Sequence, residues 1–380
     1  MTSMQPLPPN LGADVDQDRF LIMSLFLLAA EPSGDLHGAA LIEQLLAQNP
    51  NLKIYAVAGP EMRKYPIEVI EPMESFCVMG FLDVLAALPR LLRLFRKLKK
   101  TILSMNPDQV VTIDYPGLHL RLQQALRKAG YQGKQIHYIC PTVWAWGKRR
   151  IQTMERSLDL LLTILPFEPA CFASTTLRAE YVGHPLIQKI PPTSVPRQKI
   201  LALFPGSRTK EIERNLPLQL EVARKLQALD PTLEIAIATS SNLQKIAPEA
   251  TIYPPERRYE LMQKARLAIA KSGTVILELA LHQTSTIVQY VIHPFDEFLA
   301  TRVFRIHLPY YSLPNLLLQE ELFPELFGSN LTLDRLFEKA NHLWFNDAAN
   351  EHLRANTRRV RDLLGPAHAS RVAASKILNA

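Results

Sequence analysis

Short apolar runs alternate with amphipathic segments along the first half of the chain. The apolar runs have the length of buried strands, and the segments between them carry apolar residues at the spacing of a helix face. Strands that alternate with helices predict a parallel sheet covered on both faces. The predicted strands are SLFLLAA (24–30), KIYAVA (53–58), QVVTID (109–114), QIHYIC (135–140) and DLLLTIL (159–165), and the predicted helices are 39–46, 81–104 and LRLQQALRKAG, which ends at Gly130.

The segment IPPTSVPRQ (190–198) interrupts this alternation, because its three prolines leave no apolar period. Such a composition is typical of a hinge. Beyond it the alternation resumes with the predicted strands ILALF (200–204), EIAIAT (234–239), ARLAIA (265–270) and STIVQYVI (285–292). We therefore predict an α/β chain of two doubly wound, Rossmann-like domains that face a cleft. The predicted parts are a disordered tail over 1–20, a first domain over 21–189, the hinge over 190–198, a second domain over 199–349 and a helical tail over 350–380.

Composition excludes several classes of protein. The 380 residues are 47% hydrophobic and 21% charged with only 14 glycines, which argues against disordered and collagen-like chains. The longest apolar run, 21–30, is too short to span a bilayer, and acidic residues precede it, so we interpret it as a buried strand and not as a secretory signal. Three scattered cysteines predict neither disulfides nor a metal site. A net charge of +7 requires an anionic partner: nucleic acid, a phosphorylated metabolite or an anionic membrane.

Two turns in the second half have the chemistry of a phosphate site. FPGSR (204–208) follows a predicted strand, where Gly206 allows close backbone approach, Ser207 lies at the turn and Arg208 adds a charged fork. SGT (272–274) repeats the arrangement: Ser272 and Thr274 flank Gly273, can cap the next helix and can donate to phosphate oxygens, while Glu278 on that helix could accept from ribose hydroxyls. Each turn alone is equally compatible with an ordinary strand-to-helix connection. Walker A and GxGxxG motifs are absent, which favours a nucleoside-diphosphate sugar.

Carboxylates follow two predicted strands of the first half. In AAEPSGDLHG (29–38), Ser33 and Gly34 belong to the turn, and we expect Glu31 and Asp35 to face the cleft. Asp114 ends another strand, where a carboxylate can take a proton from an attacking hydroxyl. A capping or surface role remains the alternative for each acid.

The stretch 78–100 combines large apolar residues with a basic face. Leucines opposite arginines and lysines are typical of a helix that lies in a membrane interface, while a core helix with a solvated basic face is the alternative. Nucleic acid is disfavoured because aromatics are not interleaved with the basic residues. The predicted membrane contacts are Phe81, Leu82, Leu85, Leu88, Leu91, Leu92, Arg93 and Arg96.

Eleven segments, in order from about residue 24 to 320, resemble the lipid-A-disaccharide synthases, bacterial glycosyltransferases of the GT-B fold. The resemblance implies an inverting transfer of 2,3-diacylglucosamine from its UDP derivative to the 6′-hydroxyl of 2,3-diacylglucosamine 1-phosphate, which gives a β-1,6 link and UDP. The segments are AEPSGDLHGAAL, VAGPEM, VMGFLDVL, PDQVVTIDYPG, HYICPTVWAW, ILPFE, YVGHPL, LFPGSR, KSGTVILE, VQYVIHPF and YYSLPNLL.

The resemblance also implies residue roles. Asp114 would be the general base, Glu31 would position the acceptor or replace the base, and Arg208 would stabilise the diphosphate. Asn315 would contact the donor. It implies no cofactor and no metal, a cytoplasmic location with peripheral attachment to an anionic inner membrane, and leaves a homodimer open. The residues that bind substrate or UDP would be Ser33, Gly34, Asp35, Gly206, Ser207, Ser272, Gly273, Thr274, Glu278 and Asn315.

The chain departs from the family pattern at several positions. Gly117, Leu118 and His119 stand where Asp, Phe and Asn are usual, Ala30 replaces a common Gly, and Lys271 replaces a small residue. Three alternatives remain: another UDP-N-acetylglucosamine-type transferase, an epimerase on the same fold, which would not need the stretch 78–100, and a non-catalytic homologue that binds nucleotide or lipid. Replacement of Asp114 separates the last from an enzyme, since only an enzyme would lose turnover.

Overall fold

A computed structural model of the chain describes eight segments, interrupted by short gaps. The predicted disordered tail lies outside the described residues, as does Trp146, the last residue of the segment HYICPTVWAW. The described segments are 23–76, 81–145, 147–192, 195–239, 243, 246–292, 309–365 and 368–380, and side chains are described for all of these except 81–87.

The first sheet has seven strands in the order β3-β2-β1-β4-β5-β6-β7. The register pairs Ala29, at the end of β1, with Ile113, at the end of β4, in a parallel ladder. Strands are therefore added first on one side of β1 and then on the other, which makes the β1–β4 junction a topological switch point. The strands are β1 (Ser24–Ala29), β2 (Lys53–Ala58), β3 (Glu68–Pro72), β4 (Gln109–Ile113), β5 (Lys134–Tyr138), β6 (Leu160–Thr163) and β7 (Arg178–Tyr181).

The second sheet has six strands in the order β10-β9-β8-β11-β12-β13, and every neighbouring pair is parallel. The same reversal recurs here, with β8 and β11 at the switch point. The strands are β8 (Gln198–Phe204), β9 (Glu234–Ala238), β10 (Thr251–Tyr253), β11 (Ala265–Lys271), β12 (Ser285–Tyr290) and β13 (Glu325–Phe327).

Helices connect the strands. Proline begins α1 and α3, where its missing N–H is not needed by the helix. The described helices are α1 (Pro32–Gln48), α2 (Phe81–Met105), α3 (Pro116–Lys128), α4 (Arg149–Ser157), α5 (Leu186–Lys189), α6 (Thr209–Leu229), α7 (Arg258–Lys264), α8 (Thr274–Leu281), α9 (Leu313–Leu318), α10 (Leu333–Phe345), α11 (Asp347–Leu363) and α12 (Ala369–Leu378).

Each sheet has its own apolar core. On the first sheet, Phe26 and Val110 pack with Leu98 and Ile102 of α2 and with Leu122 of α3. Full burial of such a side chain stabilises the fold by about 2 kcal/mol, which explains why the helices dock on the sheet. The second core likewise joins strand and helix side chains, among them Leu201, Leu203, Ile269, Ile287, Leu220 and Leu277.

The chain divides into two compact units, one that ends at Ile136 and includes Ile377–Ala380, and one over His137–Lys376. The two parallel sheets with their helices confirm the predicted α/β class. The predicted domain limits at 189 and 199 stay predictions. Among the described helices, none is long and apolar enough to cross a bilayer.

Candidate functional site

A pocket of about 440 Å³ lies at the switch point of the second sheet. Strands β8 and β11 are neighbours and both end there, so the turns after Phe204 and Lys271 lie side by side. This brings together seven of the residues that the sequence predicted for the donor. They are Gly206, Ser207, Arg208, Ser272, Gly273, Thr274 and Glu278.

Gly206 is required by the shape of the first turn. Its φ is +126°, and a Cβ built there would lie 2.6 Å from Cβ of Glu211. The close approach lets the Ser207 N–H donate to Oε2 of Glu211 at 3.1 Å. A side chain at position 206 would therefore force the turn away from α6.

The amino ends of α6 and α8 both contribute to the pocket, and no side chain caps either end. Gly273 is the N-cap residue of α8, so the expectation that Ser272 and Thr274 cap this helix is wrong. The first amide N–H groups of a helix have no partner within it, and together with the helix dipole they favour an anion. The uncapped ends thus suit phosphate oxygens.

Three cationic side chains line this pocket. The Arg208 side chain is 85% exposed, and its nearest carboxylate oxygen, on Glu211, is 3.9 Å away. Nζ of Lys271 lies 3.3 Å from Oε1 of Glu211 and 4.9 Å from the Tyr290 ring centroid. Arg208 therefore has the weaker pairing with Glu211 of these two cations.

Glu211 itself stays ionised in this turn. Burial alone would raise the pKa of Glu211, yet the bond from the Ser207 N–H and the charge of Lys271 lower it.

Arg258 is the third cation and the site residue that the sequence analysis missed. Its Nη2 donates to Oε1 of Glu278 at 3.0 Å, and this bond raises the pKa of Arg258. The Tyr259 hydroxyl donates to the same oxygen at 2.9 Å, and burial, with the nearby carboxylate, raises the pKa of Tyr259 to about 12. Glu278 lines the pocket, but ribose hydroxyls would compete with these partners. The only available signal for Arg258 was the PPERRYE helix start after a short strand.

Asn315 is placed differently from the other predicted donor residues. It is fully buried, and it does not line the pocket. Its amide nitrogen donates to the Phe323 carbonyl and to Glu325, and its oxygen accepts from the Phe323 N–H at 2.9 Å. The described contacts of Asn315 thus stabilise the turn between α9 and β13. A contact between Asn315 and the UDP-sugar stays a prediction.

A pair of carboxylates occupies the switch point of the first sheet. Glu31 follows β1 and is the N-cap residue of α1, and Asp114 follows the neighbouring strand β4. Burial, the negative charge of Glu31 and a hydrogen bond to it raise the pKa of Asp114 to about 6. A carboxyl group with a pKa in this range can accept a proton near neutral pH.

Backbone conformation fixes the direction of Asp114. Asp114 and Tyr115 have φ of +52° and +47°, a left-handed conformation that costs a non-glycine residue of the order of 1 kcal/mol or more. Nδ1 of His119 lies 2.7 Å from the Asp114 carbonyl oxygen, and burial lowers the pKa of His119 to about 4, so the ring is neutral and donates. Of the other departures from the family pattern, Leu118 packs on the core, and Gly117 is exposed.

The three predicted residues of the first turn have distinct surroundings. Ser33 Oγ donates to Oε1 of Glu31 at 2.9 Å. A Cβ on Gly34 would approach the Ile113 carbonyl to 3.3 Å, so the absence of a side chain lets α1 lie close to β4. Asp35 is 2% exposed and accepts from the N–H groups of Gly59, Glu61 and Met62. The expectation that Asp35 faces a ligand is therefore wrong, because its carboxylate holds the loop after β2.

Helix α2 carries exposed leucines beside basic residues. Leu88 and Leu92 are 47% and 46% exposed, Leu91 is half-buried, and Arg93 and Arg96 are exposed. The side chains of the remaining predicted contacts, Phe81, Leu82 and Leu85, lie outside the described residues. The carboxyl half of α2 differs, since its apolar side chains enter the first core.

Comparison with known proteins identifies relatives along most of the chain. The family model described as lipid-A-disaccharide synthetase matches residues 25–377. The chain is 42% identical over 329 residues to the lipid-A-disaccharide synthase of Chlamydia pneumoniae, a match that covers 81% of this chain and 54% of that protein. It is 32% identical over 378 residues to the synthase of Rhodospirillum centenum, and this match covers 93% of this chain and 94% of that protein. The chain thus spans about half the length of its chlamydial relatives.

Solved structures share the fold at low sequence identity. The glycotransferase of kitacinnamycin aligns with a TM-score of 0.58 and 14% identity over 94% of this chain and 98% of its own. MnaA of Staphylococcus aureus, solved with UDP, aligns with a TM-score of 0.61 and 12% identity. The alignment covers 92% of this chain and 94% of MnaA. The architecture is that of the GT-B glycosyltransferases. The match of the family model over residues 25–377 and the identity to these two synthases show that the chain belongs to the lipid-A-disaccharide synthase family.

Proposed function

We propose that the chain transfers 2,3-diacylglucosamine from its UDP derivative to 2,3-diacylglucosamine 1-phosphate, as a step of lipid A biosynthesis. The observation that carries the proposal is the donor pocket: two uncapped helix ends and three cations surround one cavity in a chain of this family. The products would be a β-1,6-linked tetra-acyl disaccharide 1-phosphate and UDP.

The donor diphosphate would occupy the turns after β8 and β11. Backbone N–H groups there favour an anion, and Arg208 offers a guanidinium that Glu211 engages only at 3.9 Å. A uridine nucleotide is supported by the S. aureus protein of the same fold, which was solved with UDP. Arg208 and Lys271 would stabilise the negative charge that develops on the diphosphate as its bond to the sugar breaks.

Asp114 would act as general base on the acceptor. The 6′-hydroxyl oxygen attacks the anomeric carbon, the bond from that carbon to the UDP oxygen breaks, and the hydroxyl proton passes to Asp114. Attack from the side opposite the leaving group inverts the configuration. The raised pKa of Asp114, about 6, supports this role because a base that titrates near the working pH is ionised yet still basic. Glu31 would share the proton or position the acceptor.

Helix α2 would bring the chain to its acylated substrates. The exposed Leu88 and Leu92 supply apolar area, and Arg93 and Arg96 supply positive charge beside it. The matching surface is an anionic membrane, and for these substrates we propose the cytoplasmic side of the inner membrane. A homodimer stays a prediction from the family resemblance.

Two measurements on one variant test the proposed base. Purified wild-type chain and Asp114→Asn receive both acylated substrates in detergent, and product is measured by mass spectrometry while UDP affinity is measured by calorimetry. We expect disaccharide from the wild type, at least a hundredfold less from Asp114→Asn, and equal UDP affinity for both, since general base catalysis contributes about 10²–10⁴-fold.

The UDP measurement separates the possible failures. Absence of wild-type product with UDP bound would contradict the proposed reaction. Full turnover by Asp114→Asn would leave the reaction intact and remove Asp114 as the base. The matched control is Asp159→Asn, a carboxylate of the 157–160 connection that lines none of the described pockets, and it should keep wild-type turnover.

A further inference from the structure

A second cavity, of about 660 Å³, lies elsewhere in the same unit as the donor pocket. Four arginines line it, together with a single carboxylate, Asp362. Three of the arginines project from successive turns of α11, and the fourth precedes β8. They are Arg354, Arg358, Arg361 and Arg197.

The arginine cavity lies at the edge of the second sheet opposite the donor pocket. Arg197 and Gln283 line it and come directly before β8 and β12, whereas Phe204 and Lys271 line the donor pocket at the ends of β8 and β11. The strands are parallel, so these are the amino and carboxyl edges of one sheet. Seven residues at about 3.3 Å each separate the edges by roughly 20 Å, so the cavity is no part of the donor site.

Backbone carbonyls explain why arginines gather here. Arg197 donates to the carbonyls of Met262 at 2.6 Å and of Gln283 at 2.8 Å, close to the carboxyl ends of α7 and α8. Arg354 and Arg361 donate to carbonyls of the same α8 end, at 3.3 and 3.2 Å. Helix carboxyl ends attract cations. Carbonyl dipoles, however, satisfy hydrogen bonds without supplying full negative charge.

The positive charge of the cavity is therefore poorly balanced. Among the residues that the structure describes, no carboxylate lies within 4 Å of the guanidinium of Arg197, Arg358 or Arg361, and only Arg354 has an ion pair, with Glu351 at 2.7 Å. Burial, together with the nearby Arg354, lowers the pKa of Arg197 to about 10. An added anion would relieve this repulsion.

Arg358 is the arginine best placed to meet a ligand. Its side chain is exposed, and its described bond is a long one, from Nε to the Gln283 side-chain oxygen at 3.4 Å. Among the described residues, no hydrogen bond or ion pair engages the two terminal nitrogens of its guanidinium, and Arg358 lines the cavity. Planar arginine forks pair with two oxygens at once, which a halide does not offer. Four arginines against a single carboxylate can neutralise more than one negative charge, which favours phosphate over a lone carboxylate.

We propose that this cavity is a second anion site, which binds a phosphomonoester or diphosphate group carrying at least two negative charges. Its volume exceeds that of a single phosphate, so the group belongs to a larger molecule or to a diphosphate. The source is either a free phosphorylated molecule or an anionic lipid headgroup. The site requires no turnover, so its test is independent of the proposed reaction.

Binding measurements on two neighbouring arginine variants test the site. The full chain is titrated with inorganic pyrophosphate by calorimetry and, separately, with phosphatidylcholine vesicles containing phosphatidic acid by sedimentation. The variants are Arg358→Gln and, as matched control, Arg359→Gln, because Arg359 is also exposed on α11, pairs with Glu320 and lies outside the cavity. Pyrophosphate that binds in the donor pocket contributes equally to all three proteins, because neither arginine lines that pocket.

We expect Arg358→Gln to lower the affinity for at least one of the two probes tenfold or more. The affinities of Arg359→Gln should stay within twofold of those of the wild type. An effect on pyrophosphate assigns a free anion, and an effect confined to the vesicles assigns a headgroup. If Arg358→Gln changes neither probe, or if both variants weaken binding equally, the affinity reflects overall charge and the proposed site is wrong.

Discussion

Asp114 combines a raised pKa with a constrained backbone. Glu31 lies beside its carboxyl group, and the left-handed turn at Asp114 and Tyr115 is held by the buried His119. Such strain persists only where surrounding contacts enforce it, and it is common at functional sites. At the scale of the residue, the structure thus supports Asp114, more than any other acid of the first sheet, as the group that takes the proton.

The first prediction concerns the pH dependence of activity. We expect kcat/KM of the wild type to rise with pH through an apparent pKa of about 6, as the carboxyl pair loses its shared proton. Glu31→Gln removes a neighbouring negative charge, so Asp114 ionises more readily and the normalised acid limb moves to lower pH. The measurement is the kcat/KM profile between pH 4.5 and pH 8.

Glu43→Gln is the control, because it removes a carboxylate from the exposed face of the same helix. Its profile should overlay that of the wild type. An acid limb that stays in place in Glu31→Gln, or moves to higher pH, would show that the pair does not control turnover.

Individual site residues were predictable where they follow a strand. The sequence placed Glu31 and Asp114 each after a predicted strand, and the structure shows that these two parallel strands, β1 and β4, are neighbours. Asp35 was not predictable in the same way, because its partners, from Gly59 to Met62, come from a loop more than twenty residues away. Arg258 was missed for a related reason: a helix start in sequence does not reveal which pocket it lines.

Among the elements, the turn between β8 and α6 depends on a glycine, Gly206. Gly206→Ala places a Cβ against Glu211 at a φ that favours glycine. Strain at such a position costs about 1–3 kcal/mol. If the alanine side chain displaces the turn, this cost lowers the affinity for UDP about tenfold or more. Calorimetric titration with UDP measures this.

Gly117→Ala is the matched control. A Cβ at position 117 meets nothing within 4 Å, and the residue lies in the first turn of α3. Alanine there should leave UDP affinity unchanged and raise stability by at most about 1 kcal/mol. Equal UDP affinity of Gly206→Ala and the wild type would show that the turn is not part of the nucleotide site.

Helix α2 provides the second prediction at this scale. The double variant Leu88→Ser/Leu92→Ser removes two exposed apolar side chains without opening the core. We expect its affinity for vesicles containing anionic lipid to fall about tenfold, as loss of about 1–2 kcal/mol of apolar transfer implies. Vesicle sedimentation measures the affinity, and the melting temperature should change little.

The control for α2 is Leu229→Ser/Leu363→Ser, which removes two leucines that are 59% and 44% exposed on other helices. It should bind vesicles as the wild type does. If the two double variants lose affinity equally, hydrophobicity in general and not helix α2 governs membrane binding.

Four strands escaped the sequence analysis, and all four are sheet edges. β3 and β7 flank the first sheet, and β10 and β13 flank the second. Edge strands pair on one side only and tolerate polar residues, so the apolar signal that reveals a central strand is weak. EVIEP and RAEY illustrate this, since neither contains a run of buried apolar residues.

For the whole molecule, the same strand order recurs in both sheets, and each switch point carries one half of the candidate chemistry. Glu31 and Asp114 mark the first, and the turns at Gly206 and Gly273 mark the second. The alternation of strands and helices made this fold class predictable. The distribution of the net charge of +7 was not, because helix α11 gathers its arginines around carbonyls that only the folded chain brings together.

The most direct test of the account is the stoichiometry and linkage of the product made by this chain alone. Purified protein receives both acylated substrates, and UDP, disaccharide and the anomeric configuration are measured together by mass spectrometry and proton NMR. We expect one UDP for each tetra-acyl disaccharide 1-phosphate and a β-1,6 link. Release of UDP without disaccharide, or an α-linked product, would contradict the proposed transfer.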